Sequence, residues 1–161
     1  MSVPREGRLF ALVLLVSLAS AACAAHTTPH VLPPVSSPGL EIARTASTLL
    51  GAPYRDGGQD PSGFDCSGFV HYVFAQHRVS TPRDVKALWA WGLAIPEDEI
   101  QAGDLLFFAT SGSHPSHVTV AIDHDRFVHA PSARGVVRIE SRSSSYWARR
   151  FVGARRPPSG P

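Results

Sequence analysis

The chain has 161 residues, of which 43% are hydrophobic and 17% charged, with a formal net charge of +2. That composition is that of an ordinary globular domain, and the charge is too small to argue for nucleic acid as a partner. With the N-terminus set aside, about 118 residues remain from Gly39 to Arg156, enough to bury one core but not two.

Arg5 and Arg8 precede the apolar run Leu9 to Val16, and Ser17-Leu18-Ala19-Ser20-Ala21-Ala22 leads into Cys23. Residues 1–22 therefore read as a signal peptide, since the apolar run is too short for a comfortable membrane span. The small residues before Cys23 resemble the lipobox of bacterial lipoproteins, in which the cysteine is acylated and becomes the new N-terminus. Ser20 stands where leucine is usual, and secretion after an Ala-x-Ala cut is the other reading. Lipidation would consume Cys23 and leave Cys66 free, whereas a Cys23 to Cys66 disulfide would tie a leader to a helix start. Residues 23–38 are then a lipidated cysteine and a linker rich in Pro, Ser and Thr, about 50 Å long when extended.

Ile42, Ala43, Ala46, Leu49 and Leu50 recur at helical spacing, which predicts a helix from Leu40 to Leu50 stopped by Gly51. Asp65 suits the N-cap of a second helix running from Ser67 to about Gln76, with Phe69, Val70, Val73 and Phe74 on its inner face. Thr81-Pro82 starts a third, with Pro82 at its first position and Gly92 at its end. Strands are expected at Leu105 to Phe108, at His117 to Ile122, at Arg126 to His129, at Val136 to Ile139 and around Phe151. Trp89, Trp91 and Trp147 read as core or rim packing. Arg149, Arg150, Arg155 and Arg156 read as a solvated final strand, and residues 157–161 as a flexible tail.

Cys66 carries the chemistry. It lies in the first turn of its helix, three and four residues before Phe69 and Val70, so its sulfur points toward the inner face. Free N–H groups and the positive end of the helix favour a thiolate, and a nearby imidazolium would lower the thiol pKa further, so a thiol reactive at neutral pH is expected. Free cysteines are more often small buried hydrophobes. Here the cap, the helix and two later histidines favour a nucleophile.

His117 faces away from Val118, Val120 and Ile122, and Asp123-His124-Asp125 is a polar turn before Arg126-Phe127-Val128-His129. The two imidazoles share a face only if paired positions have an even residue sum, as when Asp123 to Asp125 form a three-residue loop. His129 then opposes Thr119 and lies diagonal to His117, roughly 7 to 8 Å away between backbones, which lets the rings hydrogen-bond. A Cys66/His117/His129 relay is the expected result. His26, His30, His71, His77, His114 and His124 fall in the linker, on helix positions or in loops, and have no assigned role.

Gly51-Ala52-Pro53-Tyr54, Gly57-Gly58, Gly63-Phe64-Asp65-Cys66-Ser67-Gly68-Phe69-Val70, Gly103-Asp104-Leu105-Leu106-Phe107-Phe108, His117-Val118 and Phe127-Val128-His129-Ala130 follow one another in this order. In this the chain resembles the NlpC family of bacterial cell-wall cysteine peptidases, from roughly Leu40 to Arg156. The resemblance implies a papain-like α+β fold, with N-terminal helices packed on a small antiparallel sheet, for a catalytic domain spanning residues 39–156. It implies that Cys66 is the nucleophile, His117 the general base and His129 the residue that orients it. Tyr54 matches a tyrosine that helps hold the substrate or the developing oxyanion, with a half-buried core aromatic as the alternative. Asp65 and Ser67 match residues that in some members contact the free amine of the stem peptide, with a helix cap and a first-turn solvent contact as their alternatives.

By the same resemblance the substrate is the peptidoglycan stem peptide, cut at the γ-D-glutamyl to diamino acid bond or at the diamino acid crosslink. No cofactor or metal is expected. The protein would be a monomer held by Cys23 to the periplasmic side of the outer membrane, or secreted in soluble form. Val85, Leu88, Thr119 and Ala121 depart from the family pattern around the expected substrate pocket. Other readings are a non-enzymatic wall-binding module, a related thiol amidase or acyltransferase, and a zinc site built from the same three residues, which lacks the close paired spacing of such sites.

Overall fold

In the computed structural model, which describes residues 37–132 and 135–158, helix α1 runs over Pro38–Thr48. The expected signal peptide, Cys23, His26 and His30 lie outside the described residues. The helix begins two residues earlier than its apolar spacing suggests, because the Ser37 hydroxyl accepts from Leu40 N at 3.3 Å and Pro38 occupies the first turn. Beyond it the chain turns at Gly51, whose φ is +86°.

A short hairpin, β1 (Gln59–Asp60) and β2 (Gly63–Phe64), delivers the chain to α2 (Cys66–Ala75), which Asp65 caps by accepting from Gly68 N at 2.6 Å. A Cβ on Gly68 would meet the Gly58 carbonyl oxygen at 2.0 Å, so only glycine lets the helix start press against the Gly57-Gly58 turn. Helix α3 spans Val85–Trp91 and ends at Gly92, but its cap is Asp84, which accepts from Ala87 N at 2.8 Å. Thr81 does not start it. That residue is buried and its hydroxyl is paired with His71 Nδ1 at 3.1 Å.

Strands β3 (Leu93–Ile95), β4 (Leu105–Phe108), β5 (His117–Ala121), β6 (Arg126–His129), β7 (Arg138–Ser141) and β8 (Phe151–Arg156) form one sheet in the order β3-β8-β4-β5-β6-β7. Every neighbouring pair is antiparallel. The short helix α4 (Ser145–Ala148) sits between the last two strands in sequence. Strand β7 begins two residues later than expected, because Val136 bridges Pro53 rather than joining the ladder. This is the α+β arrangement of helices and antiparallel sheet expected from the sequence.

Alternation along the central strands sorts their side chains to two faces. Leu105, Phe107, Val118, Val120 and Val128 pack with Phe69, Val70, Val73 and Phe74 of α2 and with Leu88 of α3. Leu106, Phe108, Ala121 and Phe127 pack on the other face with Trp147 of α4. Fully burying one such aliphatic or aromatic side chain contributes about 1.5 to 3 kcal/mol, so this double-sided core fixes β4 and β5 rigidly. At the far end of the sheet Asp104 is clamped by Arg156, Nε to Oδ1 and Nη2 to Oδ2 both at 2.9 Å, which ties β8 to the start of β4.

Candidate active site

Cys66 is the first residue of α2, and α2 packs against β5, which starts at His117. The backbone N–H groups of Val118, Ser67 and Cys66 itself are all directed at the sulfur. Burial is nevertheless the stronger influence and, with the Asp65 carboxylate beside it, pushes the thiol above its ordinary pKa. The resting group is therefore a neutral thiol, surrounded by the helix-end donors expected from the sequence, which favour the anion once it forms.

The β5–β6 register pairs Val120 with Val128 and Ala121 with Phe127, an even sum that places His129 opposite Thr119. Asp123 holds the three-residue loop by accepting from Asp125 N at 2.9 Å and Arg126 N at 2.7 Å. The diagonal imidazoles meet as expected, His117 Nε2 lying 2.8 Å from His129 Nδ1 with the ring planes 87° apart. Burial, and then the proximity of His129, push the His117 pKa down to about 3, while the Glu140 carboxylate opposes the shift. Burial followed by the Arg138 charge takes His129 down to about 3 as well. Both rings are neutral near pH 7, so one hydrogen lies between them, and Nδ1 is the ring nitrogen of His117 that His129 does not engage.

Three further side chains stand at the site without having been singled out for it from sequence, two beside the histidines and one beside the start of α2. The Trp147 indole stacks on His117 and meets His129 edge-on at 5.1 Å. Glu140 places Oε1 3.7 Å from His129 Nε2 and also accepts from Trp147 Nε1 and Arg138 Nε. Arg83, in the loop before α3, is the third. It donates from Nη1 to Asp65 Oδ1 at 2.9 Å and to Ser67 Oγ at 2.7 Å, and from Nη2 to Asp65 Oδ2 at 2.8 Å.

Asp65 and Ser67 are thus brought to the site but are already engaged. Burial alone would raise the Asp65 pKa, but the Arg83 hydrogen bonds and the Gly68 N–H hold its carboxyl below the usual range. Ser67 is buried, and its hydroxyl donates to Asp65 Oδ1 at 3.2 Å. Tyr54 is half-buried near Cys66, but its hydroxyl donates to Asp56 Oδ1 at 2.8 Å. Burial, followed by that bond, pushes its pKa up to about 12, so it stays protonated.

The four departures from the expected pattern lie in or against the core. Leu88, Thr119 and Ala121 are buried, and Val85 packs against the helix-side cluster. His71 and His77 have structural partners in Thr81 and Thr45. Among the described residues no three His, Cys, Asp or Glu side chains are grouped so as to hold a metal ion.

Residues 51–156 match the model of the NlpC/P60 family. The chain is 36% identical to the probable endopeptidase NlpC of Escherichia coli (strain K12), over 91% of this chain and 98% of that one. It is 34% identical to a gamma-D-glutamyl-L-lysine dipeptidyl-peptidase of Bacillus cereus over 72% of its length, but spans only 35%, about a third, of that relative. The crystal structure of an NlpC/P60 family protein from Bacillus cereus superposes with a TM-score of 0.69 at 32% identity, covering 75% of this chain and 40% of the other.

Proposed function

The chain belongs to the NlpC/P60 family, and from that premise we propose that it is an exported cysteine endopeptidase that cuts amide bonds in peptidoglycan stem peptides. The observation that carries this reading is the 2.8 Å bond between two buried neutral imidazoles, the first of which opens β5 beside the Cys66 sulfur. The likeness to an endopeptidase along nearly its whole length, and to a γ-D-glutamyl-lysine peptidase over the matched part, supports the substrate class.

In this reading the Cys66 proton passes to His117 Nδ1 as the sulfur attacks the carbonyl carbon of the scissile amide. Burial keeps the resting pair uncharged, so charge separates only when substrate is in place. The backbone N–H groups at the start of α2 face the reacting sulfur, and they are suited to receive the developing oxyanion. Tyr54 can add a donor there only by turning its hydroxyl away from Asp56. His117 then gives the proton to the leaving amine, and a water molecule, deprotonated by His117, releases the acyl group from sulfur. The bond cut is the γ-D-glutamyl to diamino acid amide or the diamino acid crosslink.

The leader at residues 1–22 supports export, and acylation of Cys23 would hold the domain at the periplasmic face of the outer membrane as a monomer on its linker. The test of the activity is mass spectrometry of defined muropeptides after incubation with wild-type protein and with Cys66→Ala. Products that accumulate only with the wild type identify both reaction and bond, and retained turnover by the variant would overturn the reading. Cys23→Ser should release the protein from the membrane fraction without altering turnover. Unmodified mature protein free in the periplasm of wild-type cells would replace the anchor with simple secretion.

A further inference from the structure

His129 Nε2 is the one buried side-chain polar atom among the described residues with no hydrogen-bond partner. It lies at the closed end of the Cys66/His117/His129 series, on a side chain with no solvent exposure, where an unsatisfied group is costly to keep. The acceptor beside it is Glu140 Oε1, 3.7 Å away. In the β6–β7 register Glu140 opposes Phe127, two residues before His129, so its side chain reaches the imidazole along the diagonal of the same sheet face. Trp147 Nε1 holds the other carboxylate oxygen, and Arg138 Nε shares Oε1. The carboxylate is therefore aimed, and a small turn of its half-buried side chain brings 3.7 Å to about 3 Å, hydrogen-bond length.

Two patterns of hydrogens satisfy the bond between His117 Nε2 and His129 Nδ1, and they have opposite chemical consequences. If His129 carries its hydrogen on Nδ1, it donates to His117 Nε2, and His117 must carry its own hydrogen on Nδ1. That nitrogen then cannot take a proton from Cys66. If His129 carries its hydrogen on Nε2, its Nδ1 accepts, His117 donates from Nε2, and His117 Nδ1 is a free lone pair. Only the second pattern gives a base, and only an acceptor at His129 Nε2 favours it.

We propose that Glu140 is a positioning residue that selects the productive pattern, accepting the Nε2 hydrogen of His129 and thereby leaving His117 Nδ1 as the base for Cys66. This rests on the cysteine endopeptidase reading above. On attack the S–H bond of Cys66 breaks and its proton binds His117 Nδ1. The hydrogens on His117 Nε2 and His129 Nε2 stay where they are, and Glu140 takes no proton. The same proton leaves His117 Nδ1 for the nitrogen of the departing amine, which restores the neutral pair. The charged groups facing His129 are Glu140 and Arg138 from β7, with His117 across from it on β5. Trp147 from α4 brings no charge. The anion of Glu140 favours a positive His117, and Arg138 acts against a positive His129.

The experiment is two-bond ¹H–¹⁵N correlation NMR of the full chain labelled at histidine, with kcat/KM against pH on a defined muropeptide. Wild-type protein at pH 7 is expected to show His117 and His129 both protonated on Nε2. Glu140→Ala should move a substantial share of His129 to the Nδ1–H form and lower kcat at least tenfold with little change in KM. Glu140→Gln keeps one acceptor oxygen and loses the charge. It should give an intermediate tautomer population and shift the acid limb of the profile to lower pH, because a positive imidazole has lost its anion. Loss of a merely structural contact would reduce the amount of active protein without moving tautomer or limb. Unchanged tautomers in folded Glu140→Ala overturn the proposal, and if that variant does not fold, an unmoved acid limb in Glu140→Gln does so. A tautomer switch in protein that cuts no muropeptide would uphold the role of Glu140 and reject the endopeptidase reading instead.

Discussion

Trp147 lies against His117 with ring centroids 5.6 Å apart and planes only 24° from parallel. Trp147 is the buried residue of the four-residue helix α4, and it also meets Phe108, Phe127 and His129 edge-on. A flat indole on an imidazole stabilises the positive ring formed during proton transfer, by about 0.5 to 2 kcal/mol for such a contact.

Trp147→Phe keeps an aromatic face on His117 but loses the N–H that Glu140 accepts, so kcat should fall about threefold to tenfold with little loss of stability. Trp147→Leu removes both and leaves space beside Phe108 and Phe127. Its thermal unfolding midpoint should drop, by roughly 3 kcal/mol in stability. Steady-state kinetics and calorimetry on the two variants separate the effects, and equal kcat in Trp147→Phe and wild type would deny the indole any share in the chemistry.

The second expectation concerns the thiol. Because burial holds Cys66 above its ordinary pKa, alkylation by iodoacetamide in a Cys23→Ser background should be slower at pH 7 than for an unfolded cysteine. The rate should climb steadily through pH 9 without a plateau near neutrality. Mass-mapped alkylation rates between pH 5 and 10 measure this directly, and a plateau below pH 7 would mean a preformed ion pair with His117.

Local pattern carried most of what sequence could supply. The hairpin register follows from parity alone, since Val118, Val120 and Val128 must share one face and the Asp123 loop sets the count. Asp65 was legible as a cap for the same reason, whereas Asp84 was hidden by Thr81-Pro82, an equally good helix start until His71 claims the Thr81 hydroxyl. The helix end that favours the Cys66 anion is visible in the sequence, whereas the burial that opposes it is not. Glu140 and Arg83 reach the site only through tertiary packing, from a strand edge and from the loop before α3, so no spacing in the chain announces them.

The third expectation is acid lability of the fold. The pKa values of His117 and His129 fall from an ordinary 6.5 to about 3 on folding, so between those limits the unfolded chain binds protons that the native state refuses. Stability is fully present above pH 6.5 and should decline as pH falls toward 3, with a slope of up to about 1.4 kcal/mol per pH unit for each imidazole. Denaturant titrations at several pH values test this. His129→Gln should flatten the slope, and identical slopes in variant and wild type would place the acid sensitivity elsewhere.

The fourth concerns Arg83, whose guanidinium occupies both oxygens of Asp65. With Asp65 so engaged, wild-type protein should distinguish only weakly between stem peptides with a free and an acetylated terminal amine. Arg83→Met leaves a half-buried carboxylate without its cation, and should cost about 1 to 3 kcal/mol of stability. The freed Asp65 should then favour the free amine. Competition between the two peptides, read by mass spectrometry, checks both halves. A strong free-amine preference already present in wild type would show that Asp65 serves substrate while paired.

The last expectation separates the two histidines by what each nitrogen does. His117 Nδ1 is the only ring nitrogen of the pair available to a thiol proton, because Nε2 is committed to His129 at 2.8 Å. His117→Ala should therefore be nearly as damaging as Cys66→Ala, since general acid and base help is worth roughly 10² to 10⁴ and an un-ionised, buried thiol attacks poorly. His129 touches neither sulfur nor substrate in this scheme and serves only to orient and polarise its neighbour. His129→Asn and His129→Gln can each still offer an oxygen to His117 Nε2–H, so measurable turnover should survive in both. His129→Ala leaves the His117 hydrogen buried and unpaired, and should lose more than either. The measurement is kcat for the four variants on one muropeptide, with circular dichroism to confirm the fold. Full activity in His129→Ala, or equal inactivity of all three His129 variants in folded protein, would remove His129 from its orienting role.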